Sequence, residues 1–118
     1  MRKTILTTLA FMAVLGGKAQ HRADQQKLDN PESFSMIVLG DPQGYMKYDI
    51  NQPLFELCTA WIADNVDQLN IKSVLCTGDL VETNECITRI RTMVNQTSRE
   101  QWECVSRCFG RLDNKVPY

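Results

Sequence analysis

The sequence predicts an α/β fold that contains at least one right-handed βαβ unit. Two short apolar runs, residues 34–39 and 71–76, are predicted to be strands. They are continuous rather than alternating, which is typical of strands that are covered on both faces. The segment between them has apolar residues at helical spacing. A strand, a helix and a second strand over this length almost always form a right-handed crossover, which makes the two strands parallel.

Each predicted strand is followed by a Gly-Asp pair. The first run leads into Gly40-Asp-Pro-Gln-Gly44, a predicted turn that passes into a loop as far as residue 50, and the second leads into Gly78-Asp79. Because parallel strands end at the same edge of a sheet, we expect Asp41 and Asp79 to lie close together there. Two convergent carboxylates favour a hard or borderline metal ion. The same residues also suit plain turn and capping roles.

The helix between the strands is expected to begin near Asn51, a suitable cap, with Pro53 in its first turn. Its spacing pattern predicts one buried stripe of apolar residues. The members of this stripe are Leu54, Leu57, Cys58, Trp61, Ile62, Val66 and Leu69.

Beyond the second strand, the pattern predicts a short helix over residues 84–95 and then a longer one. The longer helix begins at a capping box, either Thr97 with Glu100 or Ser98 with Gln101. Residues 115–118 look like the start of a third strand. The apolar stripe of the longer helix consists of Trp102, Val105, Phe109 and Leu112, and both tryptophans of the chain are assigned to the core.

The N-terminus has the pattern of a signal peptide over residues 1–19. Arg2 and Lys3 precede an apolar run, and small residues mark a cleavage site after Ala19. The run is too short to span a bilayer, which takes about 20 residues. We therefore expect an exported bacterial protein, periplasmic or extracellular, without a stable membrane anchor. An uncleaved amphipathic start is the alternative.

The remainder of the chain is predicted to be one small acidic domain. Residues 20–33 are polar and lack periodicity, which predicts a flexible mature N-terminus before a domain at 34–118. Cleavage removes three of the 13 basic residues and none of the 14 acidic ones. The resulting negative charge argues against general nucleic-acid binding, which needs a basic surface.

The chain contains five cysteines. Since the number is odd, at least one is expected to be unpaired. Cys104 and Cys108 are one helical turn apart, a spacing that could present two thiols to zinc, although no histidine or further cysteine is near them in the sequence. Most of the cysteines are expected to be small buried apolar residues.

The segments Leu39-Gly-Asp-Pro-Gln43 and Cys76-Thr-Gly-Asp79-Leu-Val-Glu82 resemble the first two motifs of the calcineurin-like metallophosphoesterases. The usual first motif there is Asp-x-His, and Asp-Pro-Gln is a variant of it. The helix from Ser98 and the stretch 112–118 look like the region before the third motif. The resemblance covers residues 34–118, and it implies the N-terminal part of a metallophosphoesterase-type α/β sandwich that is incomplete.

The resemblance implies hydrolysis of phosphomonoesters or phosphodiesters at two divalent metal ions, which would be Mn, Fe, Zn or Mg. Asp41 would bind one metal and Asp79 would bind both. Gln43 stands where the histidine ligand usually is, and its amide oxygen favours Mn or Mg. Glu82 would lie beside the ligands rather than among them.

The third motif of the family, Gly-Asn-His followed by an acid, does not occur in this sequence. The only histidine, His21, lies beside the expected cleavage site. No catalytic residue is therefore assigned, and we expect an inactive fragment that could self-associate through an exposed sheet edge.

The alternative is a small exported α/β module that binds a ligand or a partner without catalysis. A nucleotide-binding domain is disfavoured, because neither Gly-x-Gly-x-x-Gly nor a phosphate-binding Gly-Lys-Ser/Thr loop occurs.

Overall fold

The computed structural model describes residues 27–89 and 94–118. The predicted signal peptide lies outside the described residues, as do positions 20–26 of the predicted flexible segment. In chain order the elements are β1 (Ser35–Leu39), α1 (Gln43–Met46), α2 (Gln52–Asn65), β2 (Ile71–Cys76), α3 (Ser98–Phe109) and a 3₁₀ helix (Gly110–Leu112).

The two strands form a parallel sheet, as the sequence predicts. In its register Met36 lies opposite Ser73 and Leu39 lies opposite Cys76. Asn70 turns the chain into β2 with a φ of 47°, and its carbonyl accepts a hydrogen bond of 3.1 Å from the Ser35 N–H. The described chain is therefore a small α/β structure in which both strands end at one edge.

The expectation that both sheet faces are covered is wrong for the described residues. The side chains of Met36 and Val38 are 52% and 64% exposed. Ile37 and Leu39, which alternate with them, pack against the buried core instead. One face of the sheet is therefore covered and the other is open, so the continuous apolar run does not correspond to two covered faces here.

The loop after β1 contains a helical turn that the sequence does not predict. Residues 43–46 form α1, and Met46 at its end is fully buried. Pro42 occupies the N-cap position and its carbonyl accepts from the Met46 N–H at 3.1 Å. Pro42 and Gly44 led to the prediction of a turn, but the burial of Met46 favours the helical form.

Helix α2 begins after Asn51 with a proline in its first turn, as expected. Its predicted stripe is wrong for Leu54, Leu57, Cys58 and Trp61, which are all exposed. The residues that α2 buries are Phe55, Thr59 and Ile62. The helix has apolar residues on two faces, so the period alone could not identify the buried one. Thr59 can be buried because its hydroxyl donates to the Glu56 carbonyl at 3.1 Å.

Helix α3 begins at the Thr97 and Glu100 capping box. The Thr97 hydroxyl accepts from the Glu100 N–H at 3.3 Å, and the Glu100 carboxylate accepts from the Thr97 N–H at 2.8 Å. The side-chain hydrogen bond from Arg89 and the hydrogen bonds from Thr97 together lower the pKa of Glu100 to about 2. This carboxylate therefore remains charged until the solution is strongly acidic.

The stripe on α3 is correct except for its tryptophan. Val105, Phe109 and Leu112 are buried as predicted, whereas Trp102 is 42% exposed. The indole N–H of Trp102 donates to Asn84 Oδ1 at 2.8 Å. This side chain therefore binds the preceding loop rather than filling the core, and the core assignment of both tryptophans is wrong.

The segment 84–95 is not helical at the residues that the structure describes, which are 84–89 and 94–95. Cys86 exchanges hydrogen bonds with Ser98: its N–H donates to the Ser98 hydroxyl at 2.9 Å, and its carbonyl accepts from the Ser98 N–H at 2.8 Å. The backbone of Cys86 is thus paired with the start of α3 instead of within a helix. Ile87 in this segment is exposed.

The predicted third strand at 115–118 is not formed. A single backbone hydrogen bond of 2.9 Å joins the Val74 N–H to the Pro117 carbonyl. Pro117 has no N–H of its own and cannot extend a ladder. This segment therefore lies beside β2 without becoming a strand.

Gln101, on α3, binds the segment after β2 through hydrogen bonds of its side chain. Its side chain is fully buried, its Oε1 accepts from the Glu82 N–H at 2.9 Å, and its Nε2 donates to the Gln96 carbonyl at 3.1 Å. We expect Gln101→Leu to lower the free energy of unfolding by about 2–4 kcal/mol, because each backbone group left unpaired costs about 1–3 kcal/mol. Urea unfolding measures this. Glu103→Leu, at an exposed position on the same helix, is the control, and equal stability of the two variants would contradict the expectation.

Candidate metal-binding site

Gln43 and Asp79 lie together where the two strands end. The Gln43 backbone N–H donates to the Asp79 carbonyl at 2.9 Å, and the Gln43 side-chain Nε2 donates to Asp79 Oδ2 at 3.0 Å. These two bonds join the loop after β1 to the loop after β2. The parallel pairing of the strands brings the two loops to one edge, as the sequence predicts.

Asp41 lies at the same edge and is held by Thr77. The Thr77 hydroxyl donates to Asp41 Oδ1 at 2.6 Å, and the Thr77 N–H donates to the Leu39 carbonyl at 3.0 Å. Asp41 itself is exposed to solvent. Thus each carboxylate is bound by a side chain from the opposite loop: Asp41 by Thr77, and Asp79 by Gln43.

The backbone before and at Asp79 is in an unusual conformation. Gly78 has a φ of 131° and Asp79 a φ of 43°. Nothing lies within 4 Å of a Cβ built on Gly78, so the backbone angle rather than lack of space requires glycine there. A left-handed residue other than glycine costs roughly 1–2 kcal/mol. A strained backbone angle persists only where the surrounding contacts hold it, and the two hydrogen bonds with Gln43 hold Asp79 here.

The Gln43 amide oxygen is a buried acceptor without a hydrogen-bond partner in the part of the chain that the structure describes. Leaving a buried acceptor unpaired costs about 1–3 kcal/mol, which a donor or a cation would recover. The carboxylates of Asp41 and Asp79 are two further oxygen donors at the same edge of the sheet. Such a set of oxygen donors fits Mg or Mn better than metals that prefer nitrogen or sulfur.

Glu82, three residues after Asp79, forms an ion pair with Lys47. The Lys47 Nζ is 3.2 Å from Glu82 Oε2, and both side chains are partly exposed. Surface pairs of this kind stabilise a fold by at most about 1 kcal/mol. The pair therefore ties the end of α1 to the segment after β2 without adding much stability.

Sequence reasoning missed Thr77 and Lys47. Thr77 could have been found, because it directly precedes Gly78-Asp79 and can donate a hydrogen bond to a carboxylate at the same edge. Lys47 could not, because its pairing with Glu82 depends on the unpredicted helix α1.

We expect Thr77→Val to weaken Mn²⁺ binding by about 10-fold or more, because loss of a hydrogen bond to a metal ligand typically costs about 10–100-fold in affinity. Titration calorimetry with MnCl₂ measures the change. Thr77→Ser keeps the hydroxyl and should bind like the unmodified chain. If Thr77→Val binds equally well, the hydroxyl does not position Asp41 for metal.

Comparison with known proteins gives one match and places the chain in no family. No family model matches the sequence, and no solved structure matches it. The chain is similar to the "Uncharacterized protein YvnB" of Bacillus subtilis (strain 168), with 32% identity over 89 residues. The match covers 74% of this chain but 6% of the relative, so the chain spans a small part of that protein's length.

The fold and the site together define a small α/β chain in which Asp41, Gln43 and Asp79 lie at one edge of a parallel sheet. No helix within residues 27–89 and 94–118 is long and apolar enough to cross a membrane.

Proposed function

We propose that this chain is the N-terminal part of an exported calcineurin-like metallophosphoesterase, which hydrolyses phosphomonoesters or phosphodiesters. The observation that carries the proposal is the hydrogen bonding of Gln43 to Asp79, with Asp41 at the same edge of the sheet. The three residues belong to two motifs that are far apart in the sequence. In that family the two motifs supply oxygen ligands for the metal ions at the edge of the sheet.

In this proposal Asp41, Gln43 and Asp79 are the metal ligands. Two divalent ions held by these residues would supply a water of lowered pKa as the nucleophile and would neutralise charge on the phosphate oxygens. Thr77 fixes the orientation of the Asp41 carboxylate, and the Gln43 amide does the same for Asp79. Asp41 is exposed, so a ligand can reach it from solvent.

The chain alone is expected to be inactive. Departure of an alcohol requires a proton donor, and the histidine that the family uses belongs to the Gly-Asn-His motif, which this sequence lacks. His21 is the only histidine of the chain and lies far from both motifs in the sequence. The proton donor would have to come from residues outside this sequence.

The DNA beyond the codon for Tyr118 tests this function. If it encodes Gly-Asn-His in any frame, the joined polypeptide should hydrolyse p-nitrophenyl phosphate or its bis ester with Mn²⁺, and Asp79→Asn should abolish the activity. This chain alone should show no turnover under the same conditions. Turnover by the chain alone that Asp79→Ala abolishes would contradict its proposed inactivity, and a joined polypeptide without activity would contradict the proposed reaction.

The second candidate is a non-catalytic module that binds a partner or a second copy of itself. An apolar groove of about 460 Å³ favours it, since Ile37, Leu39, Leu57, Trp61 and their neighbours line the groove between β1 and α2. A folded protein that binds no Mn²⁺ and captures a partner or forms dimers would support this candidate over the phosphoesterase.

A further inference from the structure

Two thiols and a carboxylate form a second cluster, between α2 and α3. Cys104 and Cys108 are both fully buried, and their Sγ atoms are 3.9 Å apart. A carboxylate oxygen of Glu56 and the two sulfur atoms all lie within 4.8 Å of one another. None of these residues belongs to the strand-end site.

We propose that Cys104, Cys108 and Glu56 bind one thiophilic divalent cation, such as Zn²⁺ or Cd²⁺. Zinc–sulfur bonds of about 2.3 Å at tetrahedral angles place two sulfurs about 3.8 Å apart. The observed 3.9 Å matches this separation, so the helix need not change shape. Thiolates select such ions over Mg or Mn. Three protein ligands leave a fourth position for water.

The arginines beside Glu56 leave it able to bind an ion. Arg107 donates to Oε1 from Nε at 3.0 Å and from Nη2 at 2.8 Å, and Arg111 donates to Oε2 at 3.2 Å. A carboxylate has about four lone-pair directions, so one on Oε2 is still free. The Nη1 of Arg111 is buried and has no acceptor among the described residues. A thiolate sulfur is a hydrogen-bond acceptor that the Nη1 of Arg111 could use.

The charge balance also permits a cation. The cluster of one carboxylate and two guanidinium groups has a net charge of +1 when both thiols are protonated. A divalent ion that replaces the two thiol protons leaves this charge unchanged. The positive charges of Arg107 and Arg111 favour the thiolate form of Cys104, and the charge of Arg111 favours that of Cys108. The arginines therefore do not exclude the ion.

Binding has a defined proton balance. Burial raises the pKa of Cys104, and burial together with the neighbouring Cys104 thiol raises the pKa of Cys108 to about 12, so both are thiols at neutral pH in the absence of an ion. Each ion breaks two S–H bonds, forms two sulfur–metal bonds and releases two protons, with no change of oxidation state. The affinity should therefore rise about 100-fold per pH unit near neutral pH.

Cadmium titration of the reduced full chain tests the site. The chain would contain serine in place of Cys58, Cys76 and Cys86, so that only the cluster offers thiols. We expect cadmium–thiolate absorption in the ultraviolet that saturates at one ion per chain, with release of two protons per ion. The absence of this absorption, or of proton release, would overturn the proposal and leave the two cysteines as apolar core residues.

Single variants identify the ligands. Cys104→Ser and Cys108→Ser should each weaken cadmium binding more than 100-fold, and Glu56→Gln should weaken it about 10-fold, while the exposed Glu103→Gln has no effect. If the cysteine variants do not fold, the number of protons that the parent protein releases per cadmium ion still tests whether both thiols bind the ion. The double variant with Asp41→Asn and Asp79→Asn should retain the absorption, which separates this site from the proposed phosphoesterase centre.

Discussion

Asp79→Asn is expected to lower the Mn²⁺ affinity of this chain by at least about 100-fold. The change removes the charge that a hard cation needs and little else. Asparagine tolerates the left-handed backbone that Asp79 adopts, and its amide oxygen can still accept from the Gln43 side chain. An effect above the 10–100-fold range of supporting residues would mark Asp79 as a ligand.

Titration calorimetry with MnCl₂ measures the loss, and urea unfolding checks that the variant is folded. Asp64→Asn is the matched control, because Asp64 is an exposed carboxylate on α2 and the substitution changes the net charge equally. Equal effects of the two substitutions would mean that the Mn²⁺ affinity depends only on the net charge of the chain. An Asp79→Asn variant with unchanged affinity would contradict the assignment of Asp79.

Leu112→Ala is expected to lower the free energy of unfolding by about 2–5 kcal/mol. Leu112 is fully buried in the 3₁₀ helix after α3 and belongs to the main core cluster. Removing its methyl groups loses their burial and leaves a cavity, and buried leucines typically cost this amount. A domain of this size buries a limited core, so the loss is a large fraction of its stability.

Leu57→Ala is the control for this substitution. Leu57 is 67% exposed although the sequence pattern placed it on the buried stripe of α2. The same change of side chain should therefore cost less than about 1 kcal/mol. Urea unfolding of both variants gives the comparison. If Leu57→Ala is as destabilising as Leu112→Ala, the face of α2 that the pattern predicted is the buried one.

The strands and the candidate site were the most predictable parts. Strand β2 has the predicted bounds, and β1 differs by one residue at its start. A parallel pair has both carboxyl ends at one edge, so the position of Asp41 and Asp79 followed from topology alone. The hydrogen bond between Gln43 and Asp79 was not predicted, because Gln43 begins the unpredicted helix α1.

The faces of the helices were less predictable, for a physical reason. Helix α2 has apolar residues on two sides, and the period of 3.6 residues fits both sides equally. Which face of α2 is buried depends on neighbours such as Met46 and Phe109, which belong to other elements. Phe55 is buried against these elements, with its ring centroid 5.8 Å from that of Phe109. Single-sequence periodicity contains no information about such contacts.

Segments held by side-chain contacts were not predictable either. The chain around Cys86 has apolar residues at helical spacing, but its backbone is paired with Ser98 at the start of α3. The grouping of Glu56 with Arg107 and Arg111 likewise depends on how α2 and α3 pack. Cys104 and Cys108 were recognisable as a pair one turn apart, but the carboxylate near them was not.

Nuclear magnetic resonance with Mn²⁺ tests the central claim most directly, because the ion broadens the signals of nearby nuclei. Small amounts of MnCl₂ would be added to the ¹⁵N-labelled chain. We predict that the first signals to broaden are the backbone amides of residues 40–44 and 77–80 and the side-chain amide of Gln43. Broadening that begins elsewhere, or that spreads evenly over the acidic surface, would contradict a metal site at the ends of the two strands.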